Sequence, residues 1–166
     1  MKILIACVGN IFLGDDGFGV EVARSLSKRQ LPETVSVKDY GIRGFDLAYA
    51  LLDPWDLVII VDALARGEAA GTLYVIEPEL NGPGSAALNP HGMDPVRVLS
   101  LAASMGTIAA QVLVVGCEPH DFGDELEGRM GLSSPIQGVV EAASDMILDL
   151  VASRQANAVL LQIVER

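Results

Sequence analysis

Basic residues are scarce in this 166-residue chain: 11 Lys and Arg stand against 22 Asp and Glu, a formal net charge of -11. That balance repels a polyanion, so neither a nucleic-acid backbone nor an anionic membrane surface is expected as a partner. Cysteine is scarce too. Cys7 and Cys117 are too few for a disulfide framework and lack the spacing of a metal finger. Both fall in apolar, strand-like runs, where a small buried thiol is the expectation. Long apolar runs are missing: none exceeds six or seven residues, which predicts no membrane-spanning helix. The N-terminus carries one Lys and then seven residues to Gly9, too short a stretch for a secretory leader. A reducing, cytoplasmic setting is therefore expected. Apolar residues, at 51%, are plentiful, whereas charged residues make up 20%. A disordered chain has the opposite balance. At roughly 150 residues per domain the chain reads as one domain, 1–166, able to bury about 70% of its unfolded surface.

Residues 2–8 (KILIACV) form a continuous apolar run before Gly9-Asn10, the pattern of a strand covered on both faces. Phe18, Val22 and Leu26, with Val20 and Ala23, predict a helix that fades near Lys28. Residues 35–38 read as a short strand ending at Asp39. Phe45, Ala48, Leu51 and Leu52 mark a second helix, stopped before Pro54. Residues 56–62 (DLVIIVD) are another buried strand, closed by a carboxylate. Only about nine residues separate it from the next strand, 72–76, whereas a parallel crossover needs a dozen or more. The fourth strand is therefore predicted to run antiparallel. Residues 78–94 turn to Gly, Pro, Asn and Ser, and a loop that long is usually functional or disordered. Asp94-Pro95 reads as an N-cap followed by proline, with Val96, Leu99 and Ala103 as the helical stripe. Residues 111–117 form the fifth strand. Ser134-Pro135 repeats the cap signal, and Ile136, Val139, Val140, Ala143, Met146, Ile147 and Leu150 form a long amphipathic face.

The expected fold is a five-stranded, mostly parallel sheet with helices on both faces. Such sheets bind ligands outside the carboxyl ends of their strands. There the sequence collects Asp15 and Asp16, Asp39, Asp62, His91 and His120. No Gly-x-Ser-x-Gly elbow is present, and Cys7 lies inside a strand. Ser133 and Ser134 read as a helix cap. The glycines at 9, 14, 17 and 19 depart from the dinucleotide order, and no Walker lysine follows. Two carboxylates in that loop would also repel phosphate. Asp, Asp and His could form an open site for Zn, Ni, Mn or Fe. The plainer readings are a loop-capping role for Asp62, a solvated His91, a surface His120, and a helix N-cap at Asp15 or Asp16. A receiver-like signalling domain also pairs acids after its first strand with an Asp ending its third. Here the acids come about seven residues too late, and the fifth strand ends without a lysine.

Gly9-Asn10-Ile11-Phe12-Leu13-Gly14-Asp15-Asp16-Gly17-Phe18-Gly19-Val20 resembles the N-terminal signature of the nickel–iron hydrogenase maturation endopeptidases. Asp39-Tyr40-Gly41-Ile42-Arg43-Gly44 resembles their second motif, and Ile60-Val61-Asp62-Ala63 their third. Pro90-His91 falls where the family has its histidine. Gly131-Leu132-Ser133, with Val139 and Glu141, resembles a late Gly-Leu-Ser segment. The order and spacing match over nearly the whole chain.

The resemblance implies a three-layer α/β/α sandwich with strand order 2-1-3-5-4 and strand four antiparallel. It implies metal ligation by Asp16, Asp62 and His91, which chooses Asp16 over Asp15 and His91 over His120. It implies removal of a C-terminal extension from the precursor of a [NiFe] hydrogenase large subunit. The nickel would arrive with the substrate, so ligation across the two proteins would report that insertion has finished and would position the scissile bond. Nickel could polarise the carbonyl or activate water. Alternatively, Asp16 or Asp39 could act as general base. A monomer is expected. In this family Thr commonly follows the glycine of the second motif; Ile42 replaces it, a change expected to bear on which precursor is recognised. A same-fold peptidase or amidohydrolase with another substrate is the second enzyme reading.

Overall fold

In the computed structural model, residues 1–78, 95–123 and 126–164 are described, with side chains through residue 158. The five strands are β1 (Ile3–Val8), β2 (Val35–Gly41), β3 (Leu57–Ala63), β4 (Leu73–Ile76) and β5 (Gln111–Cys117). They form one sheet in the order β2-β1-β3-β5-β4. Every neighbouring pair is parallel except β4 and β5, which are antiparallel. Both the expected order and the reversal of β4 are present.

The apolar runs of β1, β3 and β5 are continuous because these three strands are covered on both faces. Ile3, Ile5 and Cys7 of β1 join Ile59, Val61, Leu113 and Val115 in one core cluster. Helices α1 (Phe18–Leu26), α4 (Ser134–Gln137) and α5 (Val140–Val164) close it with Phe18, Val22, Leu26, Ile136, Ala143 and Ile147. Leu4, Ala6 and Val8 point the other way. They join Val58, Ile60, Val112 and Val114 in a second cluster under α2 (Gly44–Ala50) and α3 (Pro95–Met105). The result is the three-layer sandwich. Each fully buried Leu or Ile contributes about 1.5–3 kcal/mol by leaving water.

Several helix details differ from the sequence reading. The buried face of α3 is Val98, Leu99 and Ala102, while Val96 is only partly buried and Ala103 is exposed. The buried face of α2 is Leu47, Ala48 and Leu51; Phe45 is 69% exposed. Successive helical positions turn by about 100°, so a residue at a stripe's margin reads as core in one dimension and lies outside it in three. Pro95 opens α3 as expected, and Asp94 lies outside the described residues. The amphipathic face after Ser134 is divided into α4 and α5 around Gly138 and Val139. Strand β2 extends past Asp39, and its register against β1 shifts so that Cys7 pairs Asp39 and Val8 pairs Gly41. Tyr40 is the extra residue of this bulge and buries its ring in the second core cluster.

Candidate active site

After β1 the chain must turn back at once so that α1 can cover the sheet. Two glycines permit this. Gly9 has φ +143°, and a Cβ there would lie 1.9 Å from the carbonyl oxygen of Asp16. Gly19, in the first turn of α1, sits against the strand ends; a Cβ there would lie 2.2 Å from the carbonyl oxygen of Val8 and 2.5 Å from that of Val61. Any side chain would push the helix away from β1 and β3. Between them, Gly14–Gly17 forms a single 3-10 turn that carries both aspartates.

Adjacent positions on this turn send their carboxylates to different tasks. Asp15 is fully buried and accepts four hydrogen bonds: from the backbone N–H of Ser133 (2.6 Å), the Ser133 hydroxyl (2.8 Å), and the N–H groups of His120 and Asp121 (2.9 Å each). Burial pushes its carboxyl up, but these donors outweigh burial and hold it below the usual carboxylate range. Asp15 thus fastens the segments after β5 and before α4 to the turn. Arg129 adds backbone bonds to Gly14 and Phe12, each 2.7 Å. Among the described residues, the Asp16 carboxylate accepts from the backbone N–H of Asn10 alone, at 2.7 Å. Burial outweighs that one bond and raises its carboxyl above the ordinary value. Neither aspartate caps α1, whose N-cap is Gly17.

Asp62 lies at the end of β3 on the α2/α3 side, 4% exposed, with Oδ1 accepting from the N–H of Ala63 at 2.8 Å. A pocket of about 420 Å³ brings Asp16 and Asp62 together. Gly9, Asn10 and Leu13 line it from the first loop, Ile42, Gly44 and Phe45 from the start of α2, and Arg97, Val98 and Leu101 from α3. It lies beyond the carboxyl ends of β1 and β3, where strand order reverses and crevices form in open α/β sheets.

Asp39 stands outside the lining of this pocket. It is exposed, and its Oδ1 accepts from the N–H of Gly41 at 2.8 Å, which shapes the turn leading to Ile42. His91 lies outside the described residues, as does most of the Gly- and Pro-rich stretch, 79–94. His120 has an exposed side chain and uses its backbone N–H toward Asp15, in keeping with the surface reading. Ser133 is the N-cap of α4, yet its side chain makes no cap bond; the hydroxyl goes to Asp15 instead. Burial raises both cysteine thiols, that of Cys117 to about 12, so neither supplies a thiolate nucleophile. Sequence reasoning missed Arg97 and Phe45 as pocket residues. In the sequence Phe45 is one of the apolar positions that mark the second helix, with nothing to tell it from the residues that face the core, and Arg97 carries no signal.

This arrangement defines an α/β/α sandwich protein in which two buried carboxylates, Asp16 and Asp62, line a pocket at the topological switch point. The profile of the family described as HycI, hydrogenase maturation protease, matches residues 20–150. The chain is 32% identical over 158 residues to the hydrogenase expression/formation protein HupD of Rhizobium leguminosarum, covering 92% of this chain and 75% of that one. It is 30% identical over 151 residues to the hydrogenase 2 maturation protease of Escherichia coli, covering 89% of each. The solved structure of the hydrogenase maturating endopeptidase HybD from E. coli superposes with a TM-score of 0.76 at 27% identity, over 93% of this chain and 94% of that one. A [NiFe] hydrogenase maturation protease HycI from Thermococcus kodakarensis superposes at 0.69 and 26% identity, over 91% and 92%. The chain belongs to the hydrogenase maturation protease family and is an enzyme, a peptide-bond hydrolase. The receiver-like reading is thereby set aside.

Proposed function

We propose that this enzyme removes the C-terminal extension of a nickel-loaded [NiFe] hydrogenase large-subunit precursor. The observation that carries the reading is the convergence of Asp16 and Asp62, 46 residues apart in sequence (62 − 16), on one pocket in a chain of this family. Asp16, Asp62 and His91 are the proposed ligands. Two carboxylates and an imidazole suit a divalent first-row ion and leave coordination positions for groups that come with the substrate. Nickel in this scheme is the substrate's cargo. Its ligation across the two proteins would hold the scissile peptide at the pocket, which is catalysis by positioning.

Asp39 is the proposed base for the attacking water. Its Oδ2 accepts no hydrogen bond among the described residues, and it stands beside the turn that supplies Ile42 to the pocket wall. The single chain would act as one domain and as a cytoplasmic monomer. Among the described residues no helix is long and apolar enough to cross a membrane.

The test compares cleavage of nickel-loaded and nickel-free precursor. The proposal expects only the loaded form to be cut; equal rates would remove nickel from the recognition step. Asp62→Asn and His91→Ala should each abolish cleavage, and full activity in both would remove the ligand assignment.

A further inference from the structure

Helix α2 and the turn before it carry large apolar side chains on the side that the core does not use. Ile42 and Phe45 are each 69% exposed and Tyr49 is 63% exposed. Phe45 and Tyr49 are four residues apart, so they lie on one side of the helix, one turn (about 6 Å) apart. Ile42 and Phe45 also line the carboxylate pocket, so the patch starts inside the pocket and runs out along α2. Folding does not explain it: the opposite face, Leu47, Ala48 and Leu51, already anchors α2. Across the pocket, Leu13 lines the wall and its neighbour Phe12 is 58% exposed.

Size indicates the occupant. An aromatic side chain can bury about 150–250 Å², so these exposures leave about 300–450 Å² over Ile42, Phe45 and Tyr49. A stable interface takes about 800 Å² from each partner. The patch alone is too small for a second copy of this chain. It reaches that size with an occupant that also covers the pocket mouth, where the proposed function puts the substrate. The occupant must also be larger than the segment that enters the pocket, because Tyr49 lies a full turn outside the lining.

We infer that Ile42, Phe45 and Tyr49 form a docking surface for an apolar face of the folded large-subunit precursor, beside the root of its C-terminal extension. This inference rests on the proposed function. Tyr49 is a recognition residue with no part in the chemistry, so its loss acts on binding and leaves turnover of bound substrate intact.

The experiment measures cleavage and binding of the nickel-loaded precursor from the same organism, with wild type, Tyr49→Glu, Tyr49→Lys and, as a control on the β4 edge, Val75→Glu. Both Tyr49 variants should raise KM at least tenfold with kcat within twofold, and weaken precursor binding by the same factor, while Val75→Glu matches wild type. A loss in both variants, whatever the sign of the new charge, identifies an apolar contact. Unchanged KM and binding in both would overturn the docking surface while wild-type cleavage still upheld the proposed function. Wild-type sedimentation as a dimer that Tyr49→Glu dissociates would overturn it in favour of self-association. Failure of the wild type to cut the precursor would instead refute the proposed function, and the inference with it.

Discussion

Replacing Asp15 should cost stability. Its carboxylate accepts four hydrogen bonds, three from backbone N–H groups and one from the Ser133 hydroxyl. Bonds to an ionised acceptor contribute about 1.5–3 kcal/mol each, but they are not additive when one group makes them all. Asp15→Ala leaves these donors to find water in a cavity, and about 3–5 kcal/mol is the expected loss. For a chain of this size each kcal/mol lowers Tm by about 2–4 °C, so the melting point should fall by roughly 6–20 °C. Asp15→Asn keeps the volume and one acceptor oxygen. Its amide NH2 must then face donors, so it should lose roughly half as much. Acid should shrink the difference. The folded Asp15 carboxyl lies below its unfolded value, so its contribution is present above pH ~4 and is lost as pH falls through the lower, folded value. Thermal unfolding by circular dichroism at pH 7 and at stepped acidic pH measures all of this. An Asp15→Ala protein melting within about 2 °C of wild type would refute the assignment of Asp15 as a structural clamp.

The neighbouring Asp16→Asn should abolish precursor cleavage, yet melt at or above the wild-type temperature at pH 7. Its raised carboxyl means ionisation opposes folding there: stability from this group is present below the unfolded pKa and lost as pH rises through the folded one. Gly19→Ala should yield insoluble or unfolded protein, since its Cβ would meet two strand carbonyls at 2.2 and 2.5 Å; a soluble variant with wild-type melting would contradict the packing of α1. Ile59→Ala, at a fully buried site in the central strand, should lose about 2–5 kcal/mol in denaturant unfolding, with an unchanged m-value. Ser133→Ala should be milder than Asp15→Ala, because the backbone N–H bond to Asp15 survives; equal losses would mean the hydroxyl carries the clamp.

The sheet was legible wherever local chemistry decides it. A strand covered on both faces has no polar face to interrupt its apolar run, so β1, β3 and β5 stand out as ILIACV, LVIIVDA and QVLVVGC. The reversal of β4 followed from chain length alone, since nine residues cannot carry a crossover back to the same edge. The strand order came from resemblance, because the partner a strand pairs with is a long-range choice. Side-chain direction was less legible. Phe45 reads as core because apolar residues that serve a pocket carry the same signal as residues that serve folding. Ser133 reads as a cap because the hydroxyl's alternative partner, Asp15, lies 118 residues away in sequence. The bulge at Tyr40 leaves no mark in period-2 alternation until the register against β1 is known.

The two adjacent aspartates show why the site could not be divided by residue type. Each sits on the same four-residue turn, and each is buried, so sequence position and burial alone predict the same fate for both. What separates them is the number of donors that the fold supplies. Asp15 meets four, contributed by segments that arrive only after β5, and it becomes a low-energy carboxylate that locks the loop. Asp16, among the described residues, meets the one N–H of Asn10 and lines the pocket, so it keeps an under-satisfied charge where a divalent ion or a proton could bind. The clamp makes that under-satisfaction tolerable. A turn held by Asp15, Arg129 and the close approaches of Gly9 and Gly19 cannot relax to give Asp16 more donors. Loosening it should therefore let Asp16 find water or new partners. Asp15→Asn should then lower kcat even at temperatures well below its melting point, and cleavage that stays at wild-type rate there would separate the clamp from the chemistry.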